Sequence, residues 1–239
     1  MTPTLAIARR ELTALFFSPI AYVVLAVFAL VSSLLFLLNF QPGAPAELRW
    51  TFFYIVWLMV FLVPGLSMRL IAEDMRSGVI EGLMTAPLSD TQVVVGKWMG
   101  AVGFLAVLLA PLLVHLGVLL AFSSPDFGPI LTGLLGLVLV GALYLAIGTF
   151  VSAATQNQII AFIVTVLITG TLTIVCELVG NMEALPEWLR TVIFHINVAR
   201  QYGDFSKGVL DGRSIVYFVT TTALFLFFAV KLLESKRWR

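Results

Sequence analysis

Residues 73–90, EDMRSGVIEGLMTAPLSD, are the longest polar interruption in the first half of this sequence. Arg69, Glu73 and Arg76 are spaced by four and by three residues, so their charged groups can form ion pairs along one face of a helix. Gly78 then allows the helix to break. The spacing predicts electrostatic contacts here, and their purpose depends on the elements around them.

A second short helix is predicted directly after Gly78. Its apolar residues Val79, Ile80, Leu83 and Met84 share one face over about two turns. Pro87 ends this helix. Ser89 and Gln92 have the spacing of a capping box that opens the next helix. Lys97 follows them, where we expect its long side chain to reach the water layer.

The sequence predicts no catalytic site and no metal site. Gly96-Lys97 is the only Gly-Lys pair, and Trp98 follows it where a phosphate-binding loop requires Ser or Thr. His115, His195 and Cys176 are far apart and do not form a recognisable zinc pattern. We therefore expect this chain to bind no cofactor and to catalyse no reaction by itself.

The composition predicts an integral membrane protein. Of 239 residues, 60% are hydrophobic and 11% are charged, and the mean hydropathy is +1.05. Soluble domains are about 45–50% apolar and about 25% charged. The net charge of +1 argues against nucleic-acid binding, because such binding requires a basic surface.

Six stretches are long enough to cross a bilayer, whose core requires about 20 apolar residues in helical form. The predicted spans are 19–38, 51–71, 97–122, 130–151, 159–179 and 215–233. The first is too long for the apolar part of a signal peptide, so we expect a true span. The predicted fold is all-α, with residues 1–239 forming one transmembrane domain.

The distribution of Lys and Arg predicts that both ends of the chain are cytoplasmic. In this orientation nine such residues are inside, namely Arg9, Arg10, Arg69, Arg76, Lys97, Lys231, Lys236, Arg237 and Arg239. Five are outside, namely Arg49, Arg190, Arg200, Lys207 and Arg213. Cytoplasmic loops of membrane proteins carry the excess of positive residues.

Two helical segments are predicted outside the spans. In residues 1–18 the apolar positions Leu5, Ala8, Leu12, Leu15 and Phe16 recur at helical spacing opposite Arg9, Arg10 and Thr13, which is typical of a helix in the membrane interface. In residues 182–212 one helical face has Leu189, Val192, Ile193 and Ile196, and another has Val198, Tyr202, Phe205 and Val209, with Asn197 between them. A disordered amphipathic tail is the alternative for the first segment, and a soluble hairpin is the alternative for the second.

Small and ionisable residues within the spans give further predictions. Gly96 and Gly100, and Gly148 and Ser152, allow close helix contact, within one chain or across a dimer. His115 and Glu177 are candidate polar sites inside the membrane. A structural hydrogen bond is the expectation for His115 and an interfacial position for Glu177, with a transport role as the alternative for each.

The charged stretch resembles the coupling segment of ABC type-2 permeases, the membrane subunits of ATP-driven exporters. The resemblance rests on the spacing of Glu73, Arg76, Gly78, Glu81, Leu83 and Pro87, followed by Gly96-Lys97. The stretches FSPIAYVV, LYLAIGTFVSAATQNQIIAF and ARQYGDFSKGVLDGRSIVYF resemble the gliding-motility-associated branch of that family. Val79 and Leu83-Met84 depart from the usual Thr and Leu pair of the motif.

This resemblance implies a division of labour between subunits in a bacterial inner membrane. Residues 73–90 would contact a cytoplasmic ATPase, and Thr155, Gln156, Asn157 and Gln158 would form a second contact. The complex would have two ATPase subunits that bind ATP and magnesium, and a second permease chain as a homodimer or heterodimer. Residues 182–212 would form short re-entrant helices at the outer side, where an accessory periplasmic or membrane-anchored protein could bind.

Other functions remain open on the residues alone. An amphipathic helix at 79–87 lies on lipid or docks into a groove of a soluble partner, and the pattern fits both. A secondary transporter or channel is the main alternative, although such proteins usually place ionisable residues or broken helices at mid-membrane. A membrane anchor or assembly subunit that transports nothing is the third.

Overall fold

The computed structural model describes residues 2–40, 47–79, 88–182 and 185–237, and every regular element in these ranges is helical. The α-helices are α1 Pro3–Phe16, α2 Pro19–Asn39, α3 Arg49–Ser67, α4 Ala72–Ser77, α5 Asp90–Leu108, α6 Pro111–Phe122, α7 Phe127–Ala154, α8 Gln158–Gly170, α9 Cys176–Gly180, α10 Glu187–Ile196, α11 Val198–Phe205 and α12 Gly212–Arg237. A π-helical turn, Thr171–Val175, joins α8 to α9.

Six helical stretches are long and apolar enough to cross a membrane, which confirms the predicted fold class. They are Pro19–Asn39, Arg49–Ser77, Asp90–Phe122, Phe127–Ala154, Gln158–Gly180 and Gly212–Lys236. The predicted capping box of Ser89 and Gln92 forms in full and starts this helix at Asp90, so the third stretch begins before the predicted span boundary at residue 97. Lys97 therefore lies about two turns inside α5.

Several spans are interrupted, and proline explains one of the breaks. Pro111 has no N–H group to continue the hydrogen-bond ladder, and the third span is divided there into α5 and α6. The second span ends at Ser67, and residues 68–71 form a turn before α4 begins. The segment after the second span therefore starts with a corner instead of a continuous helix.

The fourth span, α7, is the most deeply buried of the six. In its most apolar window 67% of the residues are buried, compared with 28% in the first, fifth and sixth spans. Glycines on α7 allow this packing, since a Cβ atom on Gly136 would lie 2.8 Å from the ring of Tyr202, and one on Gly141 would meet Leu105 and Met59. The bundle is therefore built around α7.

Helix α1 packs on α5 of the same chain. A Cβ atom on Gly96 would lie 2.9 Å from Ile7, and one on Gly100 would lie 2.7 Å from the carbonyl oxygen of Ala8. Gly96 and Gly100 therefore allow close helix contact within one chain, between α5 and α1. Of the predicted apolar face of α1, Ala8 and Leu15 are buried against the bundle and Leu5 is 46% exposed, and Glu11, which lies outside that face, is buried as well.

The predicted helices of the segment 182–212 are present as α10 and α11. Val198, Tyr202 and Phe205 are buried as predicted, whereas Val209 lies beyond the end of α11 and is 52% exposed. Asn197 begins α11, and its side chain accepts a hydrogen bond from the backbone N–H of Arg200. We call this the α11 end of the bundle, and the opposite end, with α4, the α4 end.

Candidate functional site

The predicted coupling residues begin at the α4 end, and the structure describes four of them. Glu73, Arg76, Gly78 and Val79 lie in or just after α4. The others, Ile80, Glu81, Leu83, Met84 and Pro87, lie outside the described residues. Gly78 ends α4 with a φ of 74°, in the left-handed region that glycine adopts without steric cost. The predicted break at Gly78 is confirmed.

The corner between α3 and α4 is held by one buried hydroxyl group. Ser152 Oγ on α7 accepts hydrogen bonds from the backbone N–H groups of Ile71, at 3.0 Å, and Ala72, at 2.9 Å. It also donates to the carbonyl oxygen of Met68, at 3.0 Å. Met68 and Ile71 lie in the turn, and Ala72 is the first residue of α4, whose N–H has no partner within its own helix. Ser152 therefore supplies the partners that the corner lacks.

A buried ion cluster joins α4 to α1 and α5. Lys97 Nζ lies 2.9 Å from Glu11 Oε2 and 2.8 Å from Asp74 Oδ2, and Lys97 is only 1% exposed. Arg10 lies 3.9 Å from Asp74, so two cations face two acids. The expectation that Lys97 reaches the water layer is wrong, because α1 covers it and supplies a carboxylate.

Arg69 makes a second connection between α1 and the corner. Its guanidinium donates to the hydroxyl of Ser18 and to the carbonyl oxygen of Ala14, the latter at 3.3 Å. It also lies 3.7 Å from Glu73, as the spacing predicts. Arg76 does not pair with Glu73. Within the described ranges Arg76 belongs to no ion pair, and it lines a groove instead.

That groove brings together the two predicted cytoplasmic contacts. Its volume is about 890 Å³. It is lined by Arg76, by Ala154, Thr155, Gln156, Asn157, Gln158 and Ile159, and by Lys236. Lys236 Nζ donates to the carbonyl oxygen of Ala153, at 2.8 Å, and approaches Met75 Sδ, at 3.3 Å. Residues about 80 positions apart in sequence therefore form one basic and polar surface.

Helix α8 begins at this groove. The Asn157 side chain accepts hydrogen bonds from the backbone N–H groups of Ile159, at 2.9 Å, and Ile160, at 3.4 Å. Asn157 is thus the N-cap of the fifth span, which fixes the short loop 155–157 between two membrane helices.

Comparison with known proteins identifies the family of this chain. Residues 38–233 match the family described as "ABC-2 family transporter protein". The chain belongs to this family. Two curated relatives, each named "Probable multidrug ABC transporter permease YbhR", from Escherichia coli strain K12 and from Escherichia coli O157:H7, are 25% identical to it over 150 residues. This alignment covers 63% of the chain and 39% of each relative, so the chain spans well under half of their length.

The two residues of this ABC-2 family chain that were predicted as polar sites inside the membrane have protein partners. His115 Nε2 lies 3.1 Å from Ser33 Oγ, and the imidazole stacks on the ring of Phe36 with 4.9 Å between centroids. These contacts connect α6 to α2, and they are of the structural kind expected for His115.

Glu177 lies at the α11 end. Its Oε2 accepts a hydrogen bond of 2.6 Å from Asn197 Nδ2, and its Oε1 accepts one from Asn181. On α11, the hydroxyl of Tyr202 donates to Gly133 O of α7, and burial raises the pKa of this phenol above its ordinary value. These contacts attach α9 and α11 to the bundle. Among the described residues no group of three or more His, Cys, Asp and Glu could hold a metal ion.

The sequence interpretation missed Glu11, Asp74, Lys97 and Ser152 as parts of the site. One signal for Glu11 was available, because Ile7, Glu11 and Leu15 are spaced by four and share a helical face. If that face is buried, an acid between two apolar residues needs a partner, because an unpaired buried charge is costly. No such signal marked Ser152, whose partners are backbone groups of another span.

Proposed function

We propose that this chain is the transmembrane permease subunit of an ABC exporter, driven by a separate ATPase that docks at the α4 end. The observation that carries the proposal is the groove in which Arg76 meets Thr155, Gln156, Asn157 and Gln158. Both cytoplasmic contacts expected from the sequence contribute to one surface. Its basic residues fit acidic and polar side chains of a partner.

The connections behind this surface support a mechanical role. Ser152 attaches the corner to the fourth span, Lys97 attaches α4 to the third, and Lys236 of the sixth span approaches Met75 of α4. A force applied to the coupling segment would therefore reach three spans through buried or partly buried contacts. Alternating access requires such a transfer, since this chain is expected to hydrolyse no ATP.

The proposal includes the other partners of the complex. Two ATPase subunits would bind ATP and magnesium, and a second permease chain, identical or different, would complete the path. The α4 end and both chain ends would face the bacterial cytoplasm, and the α11 end would face outward, where an accessory protein could bind. The stretches quoted above favour the gliding-motility-associated branch of the family.

A hydrophobic substrate fits the exposed surfaces of the spans. The fifth span presents a row of exposed apolar residues, Ile159, Ile163, Leu167 and Val175. With the first span, which is also mainly exposed, this row would form the face toward the second chain and the path. Because the relatives are named multidrug permeases, an apolar drug or a lipid is the proposed class of substrate.

Copurification with the ATPase encoded beside this protein tests the proposal. We expect the wild type to bind that ATPase in detergent and to stimulate its ATP hydrolysis. Val79 is 44% exposed in the coupling segment. Val79→Asp places a charge there, and Leu83→Asp does so on the predicted docking face, so both should lose binding.

Val209→Asp is the matched control, because Val209 is 52% exposed at the opposite end. It should bind the ATPase like the wild type. An ATPase that binds none of the proteins, or binds all four equally, would contradict the proposal. Ion-dependent transport without ATP would favour a secondary transporter instead.

A further inference from the structure

We infer that α1 is a transmission arm, which carries movement of the coupling segment to the base of the first span. This inference rests on the proposed function and assigns a positioning role to Glu11, Lys97 and Arg69. An interfacial helix that only floated on lipid would need no buried ionic connection to its own protein. Helix α1 makes two polar connections to the rest of the chain and packs closely on α5.

The first connection is the ion cluster. Lys97 lies between Glu11 of α1 and Asp74 of α4, within hydrogen-bond distance of both carboxylates. Lys97 and Glu11 are almost completely buried. Removal of one charge from such a cluster leaves the others buried without compensation, which is costly. Helix α1 and α4 are therefore held to the same point on α5.

The second connection lies where α1 meets the first span. Arg69, just after α3, donates to Ala14 O in the last turn of α1 and to Ser18, the residue before α2 begins. A displacement of the corner after α3 is thus transmitted directly to the start of α2. The two connections hold α1 near its middle and at its end.

Helix α1 packs so closely on α5 that it cannot easily slide along that helix. Gly96 and Gly100 face Ile7, the carbonyl oxygens of Thr4 and Ala8, and Glu11 at distances that leave no room for a Cβ atom. Close-packed backbones of this kind resist relative displacement. The arm therefore moves with the start of α5, which continues directly from the coupling segment.

The first span is suited to receive this movement. Only 28% of its most apolar window is buried, compared with 61% for the second span. Further along, Ser33 and Phe36 contact His115 of α6. A displacement at the base of α2, with this contact retained, would tilt the first span relative to the core.

Distances between spin labels in the reconstituted permease–ATPase complex test the arm. With Cys176→Ser as background, one label is placed on Val209 at the α11 end. The second is placed either on Thr91, at the start of α5, or on Ala6, on α1; all three positions are exposed. We expect trapping of ATP to shift the Thr91–Val209 and Ala6–Val209 distances together in the wild type.

The variant Glu11→Gln/Lys97→Met removes one acid and one base and leaves Asp74 with Arg10 as its partner. In this variant we expect the Thr91 shift to remain and the Ala6 shift to become smaller or its distribution to broaden, because only the packing on Gly96 and Gly100 and the Arg69 hydrogen bonds still hold α1. Lys231→Met/Glu234→Gln is the matched control, because it removes an exposed ion pair of 2.7 Å on α12. It should behave like the wild type.

The outcomes separate this inference from the proposed function. A wild type in which Thr91 moves and Ala6 stays behind overturns the arm and leaves ATP coupling intact. An Ala6 shift in Glu11→Gln/Lys97→Met that equals the wild-type shift in size and width rules out the ion cluster as a link. If neither distance responds to ATP, both the proposed function and the inference about α1 are wrong. The two distances measured in the wild type are enough to test whether α1 moves with α5, even if the variant does not fold.

Discussion

Gly148 of the fourth span lies directly against Ser67, the last residue of the helix in the second span. A Cβ atom on Gly148 would overlap the side chain of Ser67, which is fully buried. Glycine at this position lets the two helices approach at the level where the chain turns toward α4. The coupling segment therefore leaves the bundle beside a closely packed contact between the second and fourth spans.

Gly148→Ala should destabilise the protein by about 1–3 kcal/mol, because the added methyl group overpacks this contact. The free energy of unfolding in mixed micelles measures the effect. Gly117→Ala is the control, since a Cβ atom there meets nothing within 4 Å. Ser67→Gly should restore part of the loss in the double variant. An unchanged stability of Gly148→Ala would show that the helices do not meet this closely.

Ser152→Ala should loosen the corner between α3 and α4. The substitution removes the partner of two N–H groups and one carbonyl group in a buried turn, at a cost of about 1–3 kcal/mol. Ser32→Ala is the matched control, because Ser32 is also buried but donates only to Ala29 O of its own helix. Faster amide exchange at residues 68–77 in Ser152→Ala alone would support this; equal exchange in both variants would contradict it.

Gly78→Ala should weaken ATPase binding with little effect on the spans. Gly78 has a φ of 74°, and nothing lies within 4 Å of a Cβ atom there, so the cost is conformational only, about 1–2 kcal/mol. Asn adopts this conformation more readily, so Gly78→Asn should bind better than Gly78→Ala. Gly203→Ala, in a helix and also in open space, should bind normally. Binding by Gly78→Ala equal to that of Gly203→Ala would mean that this turn does not orient the coupling segment.

Much of the fold followed from patterns that one segment carries by itself. Apolar length marked the six spans, Ser89 and Gln92 marked a helix start, and Gly78 marked a helix end. Each depends on residues within a few positions of one another. Local chemistry of this kind is independent of how the helices are arranged in space.

The site was less predictable because its residues act across elements. Lys97 looks like an interfacial cation when its own helix is considered alone, and only the packing of α1 on Gly96 and Gly100 makes it buried. Likewise, Arg76 was expected to pair with Glu73, but the direction of α4 places it beside the loop 155–158. Sequence spacing defines neighbours on one helix and gives no direction for the next.

His115→Phe should separate a structural role from a transport role. Phenylalanine can keep the stack on Phe36 but cannot bond to Ser33 Oγ. Hydrogen bonds between membrane helices contribute about 0.6 kcal/mol on average, so we expect a small loss of stability and normal ATP-driven transport. Ser33→Ala should give a similar loss. Transport abolished by His115→Phe but not by Ser33→Ala would instead assign His115 to the path.

Asn197→Asp should make the α11 end sensitive to pH. Asp can still cap α11. It replaces Asn197 Nδ2, which lies 2.6 Å from Glu177 Oε2 and donates to it, with an oxygen of a second carboxylate. Like charges repel, so the variant should be less stable than the wild type at neutral pH. Its stability should recover as the pH falls and one of the two carboxylates becomes protonated. Glu177→Gln/Asn197→Asp is the control, since it removes the repulsion and should lose the pH dependence. The thermal unfolding midpoint between pH 5 and pH 8 measures both, and a flat profile for Asn197→Asp would show that Glu177 and Asn197 are not in contact.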